Sequence, residues 1–386
     1  MINMETLHVI VATGEWNGDQ LRYRRHRLAE FLLKQKDTIE VIWLCPSPSP
    51  GHKKEAYITL PNGIKQWTIA DFLPQKPFRI GRYIDIMYKE KLNPLIDYLK
   101  KFENIKVQLW YTFPGFPILS SLFRFDKVIY DCSDLWAAPM NGGSSIVSKL
   151  REKIILQAEE RLIHKAGTVF CTSDYLRNKI ETKVGSSERI HTFENGVDFE
   201  LFENKQKELP YDFKTPVIGF IGGIKPKLDF DLIKQVAKQR QEWTFLFVGP
   251  DGTNGLQEFK ELLNEKNVVW TGSVDPLEVP KYMELVDIGI MPYKHSIYNE
   301  AVFPLKLFEF LAAGKPVVGA HLPSTKKYQE KFVYSYLENN NVGDFVSECE
   351  ELLKMKNCQN HINRRKELAY TKNWDHIFQE MIQTSQ

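Results

Sequence analysis

Lys306 and Glu309 stand three residues apart in the run Phe303-Pro304-Leu305-Lys306-Leu307-Phe308-Glu309-Phe310-Leu311-Ala312-Ala313-Gly314-Lys315-Pro316-Val317-Val318. Leu305, Phe308, Leu311 and Ala312 recur at helical spacing, so the cation and the carboxylate share one face of a short helix. Pro304 suits the opening of that helix, where its missing N–H would be unsatisfied anyway. Gly314 suits a left-handed stop, and Pro316-Val317-Val318 reads as a buried strand. An ammonium and a carboxylate at the mouth of a strand–helix unit could grip a phosphate and a sugar diol. The same pair could also be an ordinary surface ion pair, and the surrounding elements must decide between the two.

Upstream, four apolar runs end in glycine or proline. Val217–Ile221 runs into Gly222-Gly223, Thr244–Val248 into Gly249-Pro250, Asn267–Thr271 into Gly272-Ser273, and Asp287–Met291 into Pro292-Tyr293. Helical periodicity at about 230–240 and 279–284 separates them, which is the pattern of a parallel sheet with helices on its faces. Ligands of such sheets bind outside the carboxyl ends of the strands, and glycine there lets backbone N–H groups approach a ligand closely. Four such ends followed by the Lys306/Glu309 helix point to a nucleotide pocket.

The amino-terminal half repeats the scheme. Leu7–Ala12 reads as a buried strand, Thr13–Gly18 as a loop, Asp19 as an N-cap, Gln20–Gln35 as a helix and Glu40–Cys45 as a strand. Further helices are expected over 84–102 and 144–166, and strands at 106–111, 127–131 and 167–173. The turn Glu194-Asn195-Gly196-Val197-Asp198 closes this half. The polar stretch 203–214 is read as an interdomain linker, which gives two doubly wound α/β domains, 1–202 and 215–369. A last helix is expected near 374–382.

Composition narrows the class. The chain has 386 residues, 43% hydrophobic and 26% charged, with a net charge of only +2, so no global field calls for nucleic acid. Five scattered cysteines, with no Cys-x-x-Cys, argue against a disulfide framework or structural zinc and suit a reducing cytosol. No signal peptide is evident, and no apolar run approaches the ~18 residues of a membrane span. The expected location is therefore cytoplasmic, with any membrane work done at the inner face.

Other side chains carry open alternatives. Asp131 and Asp134 follow a strand end in Tyr130-Asp131-Cys132-Ser133-Asp134, where a carboxylate could act as general base on an acceptor hydroxyl or serve as a cap or turn residue. Arg22, Arg24, Arg25 and Arg27 fall within two helical turns, Arg22 facing with Arg25 and Arg24 with Arg27. They could meet phosphates of a lipid-linked acceptor or anionic headgroups, or form a solvated helix face. The basic, aromatic segment from Pro77 to Tyr88 could dip into a membrane interface or pack in the core. Asp229-Phe230-Asp231 has the spelling of a metal-binding Asp-x-Asp but stands just before a helix, so it reads as an N-cap with a first-turn acid. No histidine shows metal-ligand spacing, and neither a metal nor a cofactor is expected.

Together, the two halves, the Asn195–Asp198 turn, Ile221-Gly222-Gly223 and Pro304-x-Lys306-x-x-Glu309 through Val318 resemble the GT-B-fold glycosyltransferases of family 4. The stretch from Trp16 to Leu32 more narrowly resembles bacterial teichuronic-acid glycosyltransferases. The resemblance implies two Rossmann-like domains facing a central cleft, with 370–386 packing back on the first. It implies that Glu309 accepts hydrogen bonds from the nucleotide ribose and that Lys306 stabilises the leaving diphosphate without a metal. Lys225 or Lys227 would add a phosphate contact. Gly222, Gly223, Gly249, Pro250, Gly272, Val274, Pro304 and Leu305 would line the donor site. Glu300 stands in for a second family glutamate, but eight residues separate it from Glu309 where the family has seven, and Ala301 fills the strict position. The implied co-substrate is a nucleotide-sugar, UDP-linked, and the acceptor a glycan or polyprenyl-linked glycan. A sugar-nucleotide epimerase and a non-catalytic donor-binding or membrane-docking subunit are the alternative readings.

Overall fold

The computed structural model describes residues 5–18, 21–47, 56–70, 82–139, 145–203, 211 and 213–385. The chain divides into two compact units, one of Met1–Pro139, Gly143–Glu194 and Phe378–Gln386, the other of Met140–Gly142 and Asn195–Ile377.

The first unit is built on β1 (Thr6–Val11), β2 (Thr38–Ser47), β3 (Tyr57–Thr59), β4 (Lys65–Ala70), β5 (Lys106–Tyr111), β6 (Lys127–Cys132), β7 (Thr168–Cys171) and β8 (Ile190–Thr192). Their spatial order is β3-β4-β2-β1-β5-β6-β7-β8. All neighbours are parallel except β3, which runs antiparallel to β4 at the edge. The helices are α1 (Arg24–Leu33), α2 (Lys89–Leu99), α3 (Leu119–Leu122), α4 (Ile146–Lys165) and α5 (Asp174–Val184). β1 is buried along its whole length, as a central parallel strand covered on both faces should be.

The expected helix 20–35 begins only at Arg24. The proposed cap, Asp19, lies outside the described residues. In its place Tyr23 caps the helix, its N–H bonded to Nδ1 of His26 at 3.2 Å. Nε2 of the same ring lies 3.3 Å from the Trp16 carbonyl. A carbonyl can only accept and an N–H only donate, so His26 is the neutral tautomer with its proton on Nε2. The ring is wedged between Trp16 and Trp43 with centroids 4.9 Å from each. Burial, then the charges of Arg25 and Arg22, push its pKa down to about 2.

The second unit contains β9 (Val217–Ile221), β10 (Thr244–Val248), β11 (Val268–Trp270), β12 (Ile288–Pro292), β13 (Val317–Ala320) and β14 (Tyr334–Leu337). The order is β11-β10-β9-β12-β13-β14, all parallel. This is the 3-2-1-4-5-6 order of a dinucleotide-binding sheet, whose winding reverses between its first and fourth strands, here β9 and β12. Around it lie α6 (Phe199–Glu203), α7 (Phe230–Gln239), α8 (Gln257–Leu262), α9 (Val279–Glu284), α10 (Ile297–Ala301), α11 (Lys306–Ala312), α12 (Val342–Lys354) and α13 (Gln359–Tyr370). One apolar core joins Val217, Ile218, Phe220 and Ile221 of β9 to Leu307, Phe308, Phe310 and Leu311 of α11.

The turn at Asn195–Asp198, read from sequence as the end of the first half, belongs to the second unit. Val197 exchanges backbone bonds with Lys372 (2.9 Å) and Trp374 (3.1 Å). The expected linker 203–214 falls mostly outside the described residues. The last helix, α14 (Trp374–Thr384), is divided, with residues from Phe378 onward belonging to the first unit. There Phe378 packs on Phe31 with centroids 5.5 Å apart.

The buried histidines predict acid sensitivity. Burial holds His26 near pKa 2 and His8 near 3, against 6.5 for the unfolded chain. The unfolded state therefore binds more protons below pH 6.5. The stabilisation is fully present above that pH and is lost as pH falls towards the folded-state values, at up to about 1.4 kcal/mol per pH unit for each histidine. Urea unfolding at pH 7.5, 6 and 5 should show this fall, and His26→Gln should make the decline shallower.

Candidate active site

The carboxyl edge of the second sheet gathers four separate segments. Gly222 follows β9 with φ 147°. A Cβ there would lie 2.5 Å from Cε of Lys306, so the lysine stem crosses directly over the strand end. Gly249 follows β10 with φ 135°, and a Cβ on it would fall 2.1 Å from the Gly222 carbonyl oxygen. The N–H of Gly249 donates to the Gly272 carbonyl at 2.8 Å, and that of Gly222 to Val248 at 2.8 Å. Lys306, Gly222, Gly249 and Gly272 thus form one row along the sheet edge. The sequence suggested that glycine offers N–H groups to a ligand at these ends. At Gly222 and Gly249 those groups instead extend the ladder, and glycine is needed for the φ and for the missing side chain.

Lys306 Nζ and Glu309 Oε2 are 2.7 Å apart, with side chains 17% and 16% exposed. The contact uses one of three ammonium donors and one lone-pair site of the carboxylate, so both groups keep capacity for a ligand. Pro304 is not the first helical residue as expected, because α11 starts at Lys306 with Leu305 as its cap. The preceding segment is held extended by Asn195 Nδ2 donating to the Phe303 carbonyl (2.7 Å) and Ser324 Oγ to that of Val302 (2.6 Å). The far end stops at Gly314, φ 73°, with Gly314 N–H to Leu311 and Lys315 N–H to Phe310, both 2.9 Å. This is the paired bonding of a Schellman stop. Arg365 of α13, wholly buried, donates to the carbonyls of Gly314 and Lys356 at 3.0 Å and of Phe332 at 2.6 Å. Burial lowers its pKa to about 10, which leaves it charged at neutral pH.

The loop after Gly223 brings both candidate lysines to the same edge. Lys225 lies beside Gly252 of the loop after β10. The Lys227 ammonium sits 5.0 Å from the Tyr293 ring centroid and 5.6 Å from that of Tyr298. Asn299, fully buried, ties this loop down by donating to the carbonyls of Lys227 (3.2 Å) and Lys294 (2.7 Å). Asn299 is a positioning residue that the sequence reading missed, since a lone asparagine leaves no periodic signal, and Asn195, read from the sequence only as part of a turn, is another. Pro250 meets the same loop, its carbonyl accepting the Ile224 N–H at 3.0 Å. Val274, half-buried, packs against the core.

Glu300 lies on α10, not in a loop, with Oε1 3.8 Å from Nε2 of His295. His295 in turn meets His321 edge-on at 5.4 Å, and burial followed by His295 lowers the His321 pKa. Asp229 is the N-cap of α7, accepting the Leu232 N–H at 3.0 Å, as the sequence indicated. Among the described residues no three His, Cys, Asp or Glu side chains are grouped to hold a metal ion.

In the first unit the structure separates residues that the sequence grouped. Asp131 is buried, and both its oxygens face Nε of Arg24 at 3.0 and 2.8 Å. The same guanidinium donates to the Glu194 carbonyl at 2.9 Å and lies over Phe378. Arg24 is therefore not available to an acceptor or a membrane, and Asp131, spent on a buried pair, is not placed as a base. Asp134, two residues beyond β6 and half-buried, keeps that possibility. Arg22 lies outside α1, over the Trp16 ring at 5.4 Å, so it cannot share a helix face with Arg25. Arg25 stacks on Tyr23 at 4.5 Å, and Arg27 pairs with Glu30 at 3.4 Å. None of the four is fully exposed.

Two parallel-sheet units, the second with this glycine-lined edge, define the GT-B fold. Sucrose-phosphate synthase (tll1590) from Thermosynechococcus elongatus superposes with a TM-score of 0.75 at 13% identity, over 98% of both chains. Anabaena Alr3699/HepE in complex with UDP-glucose does so at 0.68 and 14%, again over 98% of both. The family described as "Glycosyl transferases group 1" matches residues 215–355. The chain is also 53% identical, over 97% of its length and 96% of the other's, to the Bacillus subtilis (strain 168) protein described as "Putative teichuronic acid biosynthesis glycosyltransferase TuaH". The chain belongs to the group 1 glycosyltransferases.

Two substitutions separate scaffold from site. Asp131→Asn leaves the Arg24 charge buried without its partner and should cost about 3–5 kcal/mol of stability, read as a lowered urea midpoint. Gly222→Ala forces a methyl group against the Lys306 stem at a φ that alanine avoids. Urea unfolding should show a smaller stability loss than for Asp131→Asn, about 1–3 kcal/mol for the strained backbone.

Proposed function

We propose that this glycosyltransferase moves a sugar from a UDP-linked donor to a glycan or polyprenyl-linked acceptor during synthesis of a teichuronic-acid-like cell-wall polysaccharide, in the cytoplasm at the inner face of the membrane. The 53%-identical relative supports the pathway. The observation that carries the reading is the Lys306–Glu309 pair seated over Gly222 beside the point where the winding of the second sheet reverses. A dinucleotide-type sheet binds its ligand at that point.

Glu309 accepts the ribose hydroxyls, for which a carboxylate has the lone pairs. Lys306, with Lys225 or Lys227, faces the diphosphate. As the bond between the anomeric carbon and the phosphate oxygen breaks, negative charge grows on the leaving diphosphate, and fixed cations there lower the barrier. These lysines supply the role a metal would otherwise play, so turnover should survive chelation. The new bond joins the anomeric carbon to the acceptor oxygen. Its proton passes to Asp134 if the configuration inverts, or to the departing phosphate if it is retained. In this reading Glu300 faces the transferred sugar. The first unit takes the acceptor, and among the described residues of the chain no helix is long and apolar enough to cross a membrane.

A panel of UDP-sugars with a lipid-linked acceptor, with and without EDTA, tests the reading. Binding of UDP without transfer to any acceptor would count against it. Lys306→Met should lower kcat by about 10²–10³. Glu309→Gln should weaken UDP binding by about tenfold or more, the loss of a charge-assisted hydrogen bond.

A further inference from the structure

One face of the first unit is arranged opposite to the usual partition of side chains. The 3-10 turn Asp85–Tyr88 buries its carboxylate and exposes its aliphatics. Asp85 is fully buried, accepting the Ile118 N–H and pairing with Arg161 at 2.9 Å. Tyr88 packs edge-on against Phe116 with centroids 5.2 Å apart. These two inward anchors fix the turn so that Ile84, Ile86 and Met87 point outward, Ile86 being 71% exposed and Met87 63%.

The first turns of α4 do the same. Ile146 is 88% exposed, Val147 71% and Leu150 58%. The two segments are linked through α4. Arg161, which holds Asp85, is on α4, and Tyr83 feels the charges of Arg151 and Glu159 from the same helix. Clustered exposed aliphatics of this kind mark an interaction surface.

The charges at its edge identify the partner. Lys149, Arg151 and Lys153 are exposed in the same turns of α4, against one half-buried acid, Glu152. We propose that this face docks on an anionic bilayer, with the aliphatic side chains of 84–87 and 146–150 entering the headgroup region and the three cations meeting lipid phosphates. A second copy of the chain is the poorer occupant, because a two-fold contact through this patch would set its cations against their own copies. The docking deepens the reading of a lipid-linked acceptor and rests on it for its purpose. It also moves the membrane contact from the arginines around α1 to the Pro77–Tyr88 segment, of which 77–81 lie outside the described residues, together with the start of α4.

The test is sedimentation of the full-length protein with phosphatidylglycerol–phosphatidylcholine vesicles and with pure phosphatidylcholine vesicles, alongside UDP calorimetry. The wild type should partition onto the anionic vesicles. Ile86→Ser with Met87→Ser, and separately Ile146→Ser with Leu150→Ser, should each lower the partition coefficient by about tenfold or more. Lys149→Ser with Lys153→Ser should abolish the preference for anionic lipid. All variants should bind UDP as the wild type does, which shows them folded. No partition of the wild type, or double serine variants that partition like it, would overturn the proposal. So would light scattering that finds a wild-type dimer turned monomeric by the same substitutions without vesicle binding. Vesicle binding without UDP binding by the wild type would leave the docking intact and remove the donor-site reading.

Discussion

The second unit turns on a close approach of backbone. The strand ends after β9 and β10 come so near that a single Cβ on Gly249 would collide with the carbonyl of Gly222, and one on Gly222 with the Lys306 stem. Nothing larger than hydrogen fits at either position. That restriction places a cation from a helix more than eighty residues away directly over the strand end. The Schellman stop and Arg365 hold one end of that helix, and Asn195 with Ser324 hold the segment entering the other. The site is therefore a set of short distances maintained by groups that do not themselves face a ligand.

Buried charge is used throughout as framework. Arg24 with Asp131 joins α1 to β6 and to the segment ending at Glu194. Asp85 with Arg161 holds a surface turn to α4. Arg365 gathers carbonyls from three separate segments, with no carboxylate paired to it among the described residues. Such groups are expensive to bury and more expensive to leave unpaired, so each resists substitution for reasons unrelated to catalysis.

This explains how much of the molecule could be read from the sequence. The apolar parallel strands and their glycine ends were legible, because continuous burial and a stop residue are local signals. So were Lys306 and Glu309, Asp229 as a cap, and the Gly314 stop. β3 and β14, at the sheet edges, and β4, interrupted by half-exposed residues, went unread because such strands carry little apolar pattern. α13 went unread because one of its inward side chains is Arg365, which periodicity counts as polar. The four arginines were misgrouped for a related reason. Arg24 turns inward to meet a carboxylate 107 residues away, and no local reading of a basic run can see such a partner.

The bond from Asn195 to the Phe303 carbonyl also bears on the order of assembly. Asn195 opens the second unit, and its turn is completed only by backbone bonds to Lys372 and Trp374 at the other end. The approach to Lys306 is therefore braced by residues that the ribosome makes nearly two hundred positions apart. Strands made early can pair while synthesis continues, but this brace waits for Lys372 and Trp374. A nascent or prematurely ended polypeptide would carry the glycine-ended strands yet lack the support that sets the lysine. The lysine would then be set only once translation had passed Trp374.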